Sequence, residues 1–497
     1  MTRSKHNHAA APPPTQPKHL KLVFIHLDLG IGGAEQLVLQ LAKAGQENGH
    51  DITLVTTRCD PDHCFAAVAP GGTLHDNLRI YGNWIPPQLL GAATAIMSTL
   101  RILYLTWKVC RCHRDADVCI VDVLPTSLPL LYWMLPTTAT FFYCHFPDQL
   151  LLQKNASPSS SSGQLQSLLS VARTLYRGFL NGLEEFTMTN TADLIVVNSK
   201  FTREVVLNTF SSLRGNGSTV PVLYPALDDS TSNDNNNNTT TSNKTSQSPI
   251  VSLNRFERKK NIALLLHAYQ YLQENYPDQL LPPLIIAGGY DVQNVENVEY
   301  RGELQQMVQD YQLHHCVEFR TDISDIERST LFQTALTVVY TPDREHFGIV
   351  PLEAMYAGTP VVAVRSGGPM ETVMDGTTGR LCEPTSQDFG EALLELIRDP
   401  DKATAMGRAG RRHVEANFGT KRLAREFQAL LEECQIRHKK NRPNYVLWSK
   451  TGEYLMDAFY AIVLTLLLTA FLKSMGFLHE DESLMGGIKR TLIHGEL

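Results

Sequence analysis

Two glutamates eight residues apart, in Glu345-His-Phe-Gly-Ile-Val-Pro-Leu-Glu353-Ala-Met-Tyr-Ala-Gly358, are the side chains of this sequence best spaced to do chemistry. Pro351 suits the first position of a helix and Gly358 its end, which predicts Glu353 in the first turn, beside unpaired N–H groups and the positive end of the dipole. Glu345 precedes that helix in a loop. Carboxylates so placed can grip hydroxyls, a ribose diol for one and a sugar ring for the other. A capping role would explain Glu353 alone and leaves Glu345 and the intervening Phe347-Gly348 without a reason.

A basic run, Asn254-Arg-Phe-Glu-Arg-Lys-Lys-Asn261, directly follows the strand-like VSL. Charge runs are usually solvated faces. At a strand end beside a cleft, however, fixed cations stabilise a diphosphate leaving group more in the transition state than in the ground state. Arg255 can bind phosphate bidentately and Lys260 can add a point charge, while Arg258 and Lys259 leave open which lysine makes the contact. Gly367-Gly368, between VVAV and a helix, lets backbone N–H groups approach a phosphate or sugar oxygen. Gly30-Ile-Gly-Gly-Ala-Glu35 has the shape of a phosphate-contacting turn around Gly32 and Gly33. Glu35 stands where a dinucleotide fingerprint needs its last glycine, which argues against a nicotinamide cofactor. His145, in Tyr-Cys-His-Phe-Pro-Asp148, ends an apolar run; by itself a lone histidine is more often structural than catalytic.

The elements around these residues form a repeating pattern. KLVFIHLDL, a helical stretch through QLVLQLAKAGQENGH and ITLVTT make a βαβ unit. Further strand-like runs, VCIVDV, TATFFYCHF and ADLIVVNS, extend it into a doubly wound domain. A second set, LPPLIIAGG, HHCVEFRT, LTVVYTP and TPVVAVRSGG, begins at Ile250. The division expected is a disordered tail over 1–20, a Rossmann-like domain over 21–227, a low-complexity linker over 228–248, a second Rossmann-like domain over 249–435 and a basic, hydrophobic tail over 436–497. Two such domains place a ligand cleft between the carboxyl ends of their sheets. The apolar helical stretch from Pro86 to Cys110 contains Arg101, so it is expected to pack on the sheet or dip into an interface rather than span a bilayer. In the tail, Arg437 to Asn444 is basic, and Leu455 to Leu472 gives eighteen largely apolar residues. At ~1.5 Å per residue that reaches ~27 Å, barely a bilayer core, so it is either a core helix or a segment inserted in or docked on a membrane, and the flanking lysines and arginines favour the membrane.

A length of 497 residues exceeds one ordinary core, and a formal charge of −7 argues against a general nucleic-acid partner. The nine cysteines are scattered, with no CxxC and no zinc-like spacing, which reads as reduced thiols. No apolar leader follows Met1, so the Asn-x-Ser/Thr triplets at Asn216, Asn238 and Asn243 read as loop sequence.

The Glu345–Glu353 segment resembles the E-x7-E motif of retaining GT-B glycosyltransferases, which fold as two Rossmann-like domains facing a cleft. The resemblance implies that Glu345 lies near the transferred sugar, that Glu353 holds the nucleotide ribose and that Arg255 and Lys260 contact the diphosphate. Gly32 and Gly33 would close over the sugar diphosphate from the acceptor domain, His145 would reach the transferring sugar, and Phe347, Gly348, Gly367 and Gly368 would line the donor. With HLDLGIGGAEQLV, CHFPDQLL, NRFERKKN and EHFGIVPLEAMYAGTPVVAV together, Lys21 to about Cys434 is similar to one subfamily, the α-1,3/1,6-mannosyltransferases. That likeness implies GDP-mannose as donor and a dolichol-diphosphate-linked Man1GlcNAc2 acceptor. It also implies membrane lipid as a partner, complexes with other glycosyltransferases of the pathway, and catalytic domains on the cytosolic face of the endoplasmic reticulum. No cofactor is expected, and no divalent metal, because arginine, lysine and helix dipoles neutralise the leaving group. An α-1,2-mannosyltransferase of the same pathway or a catalytically silent GT-B scaffold are the alternatives.

Overall fold

The computed structural model describes residues 19–88, 94–122, 124–147, 182, 184–215, 219–227 and 244–441. Asn216, Asn238 and Asn243 of the Asn-x-Ser/Thr triplets, Asp148, the Asn-rich part of the linker and the apolar segment of the tail lie outside the described residues.

The first domain is a six-stranded parallel sheet. Its strands are β1 (Lys21–Ile25), β2 (Asp51–Thr56), β3 (Leu78–Ile80), β4 (Val118–Val121), β5 (Ala139–Cys144) and β6 (Leu194–Val197), in the spatial order β3-β2-β1-β4-β5-β6. The central strands are apolar throughout because helices cover both faces. Helix α1 (Gly33–Glu47) packs Leu37, Val38, Leu41 and Ala42 on one face, and α2 (Thr94–Cys112) packs Ile102, Leu105 and Val109 on the other. Arg101, inside α2, is fully buried. Its guanidinium binds the Asp28 carboxylate and donates to Thr57 Oγ1 at 2.5 Å, so α2 is a core helix pinned to the sheet edge. Among the described residues no helix is long and apolar enough to cross a membrane.

The second sheet repeats the topology. Strands β7 (Ile250–Leu253), β8 (Leu284–Gly288), β9 (Val317–Thr321), β10 (Thr337–Tyr340), β11 (Val361–Val364) and β12 (Gly379–Cys382) run parallel in the order β9-β8-β7-β10-β11-β12. In both sheets the winding reverses between the first and fourth strands, where loops leave in opposite directions and open a crevice. The short edge strands β3 and β12 carry too few apolar residues to be read from the sequence.

Three domain limits move. Leu20, assigned to the amino-terminal tail, is buried, and its N–H donates to His50 Nδ1. Lys244, placed in the linker, is buried against the second domain with Nζ 2.7 Å from both Gln333 O and Thr359 Oγ1; burial pushes its ammonium down to about 8. The third concerns the expected end of the second domain at residue 435. The last described helix, α11 (Thr420–Asn441), runs past it and returns to the first domain. (Besides the short turns Ser211–Gly215 and Pro369–Thr372, the helices α3 to α10 are Leu128–Met134, Lys200–Thr209, Ala263–Asn275, Val295–Asp310, Asp325–Thr334, Ile349–Tyr356, Ser386–Arg398 and Pro400–Asn417.) Phe427 packs between Phe24 and Phe141, with ring centroids 6.3 and 5.9 Å away, and Leu423 and Leu431 are buried beside it. Each such side chain contributes about 1.5–3 kcal/mol on burial, enough to decide where α11 lies. Arg437, in the basic run expected to favour docking, donates to Thr219 Oγ1 at 2.6 Å, and His438 Nδ1 lies 3.0 Å from Asp193 Oδ2, both in the first domain.

Candidate active site

At the first switch point three polar residues end three adjacent strands. His26 follows β1, Asp122 follows β4, and His145 follows β5. His26 Nδ1 lies 2.9 and 2.8 Å from the two oxygens of Asp122, and His145 Nε2 lies 3.3 Å from Asp122 Oδ2. Glu35, in the first turn of α1, places Oε1 3.8 Å from His26 Nε2. Burial alone would push His26 down, but the charges and hydrogen bonds of Asp122 and Glu35 outweigh it and raise the imidazole to about 10. Burial would likewise raise Asp122, yet the two histidines hold it down at about 2. Gly32 is the extended N-cap of α1, and a Cβ there would stand 2.3 Å from Glu35 Oε2, whereas Gly33 faces open space.

At the second switch point a single turn, Arg258–Lys260, follows β7. Thr341 Oγ1 donates to Lys260 O at 2.7 Å and fixes that turn to the end of β10. The basic run then separates. Arg258 binds Glu299 and Glu303 on α6, Lys259 lies 2.9 Å from Glu257, and Lys260 alone turns to Glu345, at 2.6 Å. Burial would raise the Glu345 carboxyl, and the Lys260 charge beside it wins, leaving it below its ordinary value. Arg255 is 65% exposed and 3.3 Å from Glu257, free to swing toward an anion.

Several expectations about the glutamate segment change. Helix α8 begins at Ile349, not at Pro351, so Glu353 falls in the second turn, away from the free N–H groups. Its partner is the Arg328 guanidinium of α7. Burial raises the Glu353 carboxyl above its ordinary value, and Arg328 only partly offsets this. Phe347 does not line the cleft: it is buried against Tyr224 and Phe418 as the anchor of the loop. Gly348 takes φ 78° at the start of α8, under the Tyr340 ring. Of the two glycines, Gly368 does not offer a free N–H group. A Cβ on them would meet Glu345 O at 2.4 Å and Phe347 O at 2.0 Å, and the Gly368 N–H already donates to Glu345 O at 2.8 Å. This glycine pair braces the Glu345 loop from behind.

The two halves meet through residues adjacent to the site. His346 stacks on Phe146 at 3.8 Å between ring centroids, which brings the loops that carry Glu345 and His145 together. Ser199 Oγ donates to His346 O at 2.6 Å. The Glu371 carboxylate accepts from the N–H groups of Lys200 and Phe201, at the start of α4, and from the Tyr224 hydroxyl. Sequence reasoning missed His26, Asp122, Arg328 and Glu371. The first two carried a usable signal, a polar residue ending an apolar run at the switch point; the others are tertiary pairings without one. Among the described residues no group of three His, Cys, Asp or Glu side chains gathers at metal-binding distance.

Two parallel sheets with reversal points facing across a cleft, one bearing a Lys–Glu pair and the other a His–Asp pair, define a GT-B glycosyltransferase. Solved structures share the architecture: sucrose-phosphate synthase from Thermosynechococcus elongatus superposes with a TM-score of 0.61 at 20% identity, over 83% of this chain and 98% of that one. The catalytic domain of starch synthase IV from Arabidopsis thaliana gives 0.61 at 13% identity, over 84% and 100%. Residues 31–230 match the family described as Glycosyltransferase Family 4 and residues 234–413 match Glycosyl transferases group 1. The human α-1,3/1,6-mannosyltransferase is 38% identical over 421 residues, 82% of this chain and 96% of the relative. That of Dictyostelium discoideum is 34% identical over 438 residues, 84% and 99%. The chain belongs to the α-1,3/1,6-mannosyltransferase family.

Proposed function

We propose that this enzyme transfers mannose from GDP-mannose, with retention, to a dolichol-diphosphate-linked Man1GlcNAc2, adding one α-1,3 and one α-1,6 residue on the cytosolic face of the endoplasmic reticulum. The observation that carries this reading is the Lys260–Glu345 pair at the second switch point, on a loop joined to that of His145 by the Phe146–His346 stack. Lys260 leaves Glu345 for the donor diphosphate, Arg255 swings in beside it, and Glu345 is released to the sugar hydroxyls. Glu353 and Arg328 hold the ribose end. The bond from the anomeric carbon to the diphosphate oxygen breaks while the acceptor oxygen bonds the same face of that carbon, and the acceptor proton passes to the departing diphosphate. Arg255 and Lys260 stabilise the leaving charge, each by about 10²–10³ in rate, the scale of a preorganised oxyanion donor.

The test is purified full-length protein offered GDP-mannose, UDP-glucose and UDP-N-acetylglucosamine with short-chain lipid diphosphate acceptors, the product linkages being read by glycosidase digestion. Transfer from GDP-mannose alone, giving both α-1,3 and α-1,6 products, is expected. An α-1,2 product assigns the chain to another step of the same pathway, and no transfer from any donor assigns it to a silent scaffold.

A further inference from the structure

The Glu35–His26–Asp122–His145 file is not explained by donor binding. Its two inner members are buried, so two carboxylates sit within reach of one enclosed imidazole. An ionised carboxylate so enclosed is strongly unfavourable unless a cation accompanies it. Asp122 is also bidentate to His26 while sharing Oδ2 with His145, so any change at His26 reaches His145 through one oxygen. Glu35 ties the same file to the Gly32-Gly33 turn.

We propose that His26 is a positioning residue, a buried cation that keeps Asp122 charged and fixed, so that the Nε2–H of His145 is committed to Asp122 and its Nδ1 is left for the substrate. The proposal rests on the reading of His145 as a residue at the transferring sugar. The groups facing the pair are Glu35 from α1, Tyr143 from β5 and His145 directly after β5. His26 remains protonated across the neutral range, in line with its pKa near 10. Removing that charge leaves the buried aspartate with His145 as its remaining partner, and its proton affinity rises.

The experiment compares pH profiles of kcat/KM for the full chain and for H26N, D122N and the double variant. Asparagine at position 26 keeps an N–H donor where Nδ1 stood and deletes the charge. In H26N, activity is expected to acquire an acid limb, falling about tenfold per pH unit below the new value of Asp122, while the unsubstituted enzyme has no such limb there. D122N is expected to be impaired at every pH, and H26N to cost it nothing further. Parallel profiles for H26N and the unsubstituted enzyme, or multiplicative losses in the double variant, overturn the proposal. If H26N does not fold, ring-nitrogen spectra of the unsubstituted protein decide: an imidazolium signal persisting at about pH 9, where ordinary histidines are neutral, supports it, and its absence overturns it. Failure of the unsubstituted enzyme to transfer mannose would count against the proposed function and leave this spectral test standing.

Discussion

Lys260 Nζ lies 2.6 Å from Glu345 Oε2, and the two side chains reach each other from loops that follow neighbouring parallel strands, β7 and β10. The pair therefore reports the switch point itself. Each partner holds the other in place.

Removing either partner should be a catalytic rather than a folding lesion. K260A and E345A are each expected to lower kcat by about 10²–10³-fold with far-UV circular dichroism unchanged. Near-full activity of either in a folded preparation contradicts the role given to that residue.

The Glu345 carboxyl lies below its ordinary value, so the pair contributes stability above the unfolded value of 4.5 and loses it as pH falls through the folded value. Melting temperatures of the unsubstituted enzyme and K260A should differ at neutral pH and converge under acid conditions. A difference that grows on acidification contradicts this.

Glu353 carries the opposite sign. Its raised carboxyl makes stability decline as pH rises through the unfolded value of 4.5 toward the folded one. R328M removes the cation that offsets the burial, and should cost about 1–3 kcal/mol at neutral pH and less in acid. It should also raise the KM for the donor. Urea titrations at two pH values measure the first effect and steady-state kinetics the second.

The glycine pair behind Glu345 and the glycine loop of the first domain should respond differently to one added methyl. A Cβ at Gly368 meets the Phe347 carbonyl at 2.0 Å, backbone that cannot yield cheaply, whereas Gly33 faces open space. G368A is expected to lose about 1–3 kcal/mol and most activity. G33A should melt within about 0.5–1 kcal/mol of the unsubstituted protein, the helix-propensity range, whatever it does to activity.

Much of this was legible beforehand for identifiable reasons. Uninterrupted apolar strands such as VCIVDV and LTVVYTP can only be central strands of parallel sheets, and the basic run after β7 sits where a strand end must meet the cleft. Residues whose partners lie far off in the chain were not legible. Glu353 was read from local helix signals as an N-terminal acid, but Ile349 and Val350 already continue the helix and Arg328 supplies its charge. Phe347 and Gly368 looked like ligand contacts because the motif is contiguous, while the structure uses them to support the Glu345 loop. Nothing in the composition of α11 shows that it crosses back to the first domain; the matching pocket for Phe427, between Phe24 and Phe141, exists only once the sheet has formed.

The most direct test of the central claim is calorimetric titration of the full-length protein with GDP and GDP-mannose, repeated with R255A and K260A. The account predicts one site per chain for the unsubstituted enzyme and affinity for both ligands weakened by about tenfold or more in each variant, the loss of one to two charge-assisted phosphate contacts. Unchanged affinity in both variants, or no binding by the unsubstituted enzyme, would contradict it.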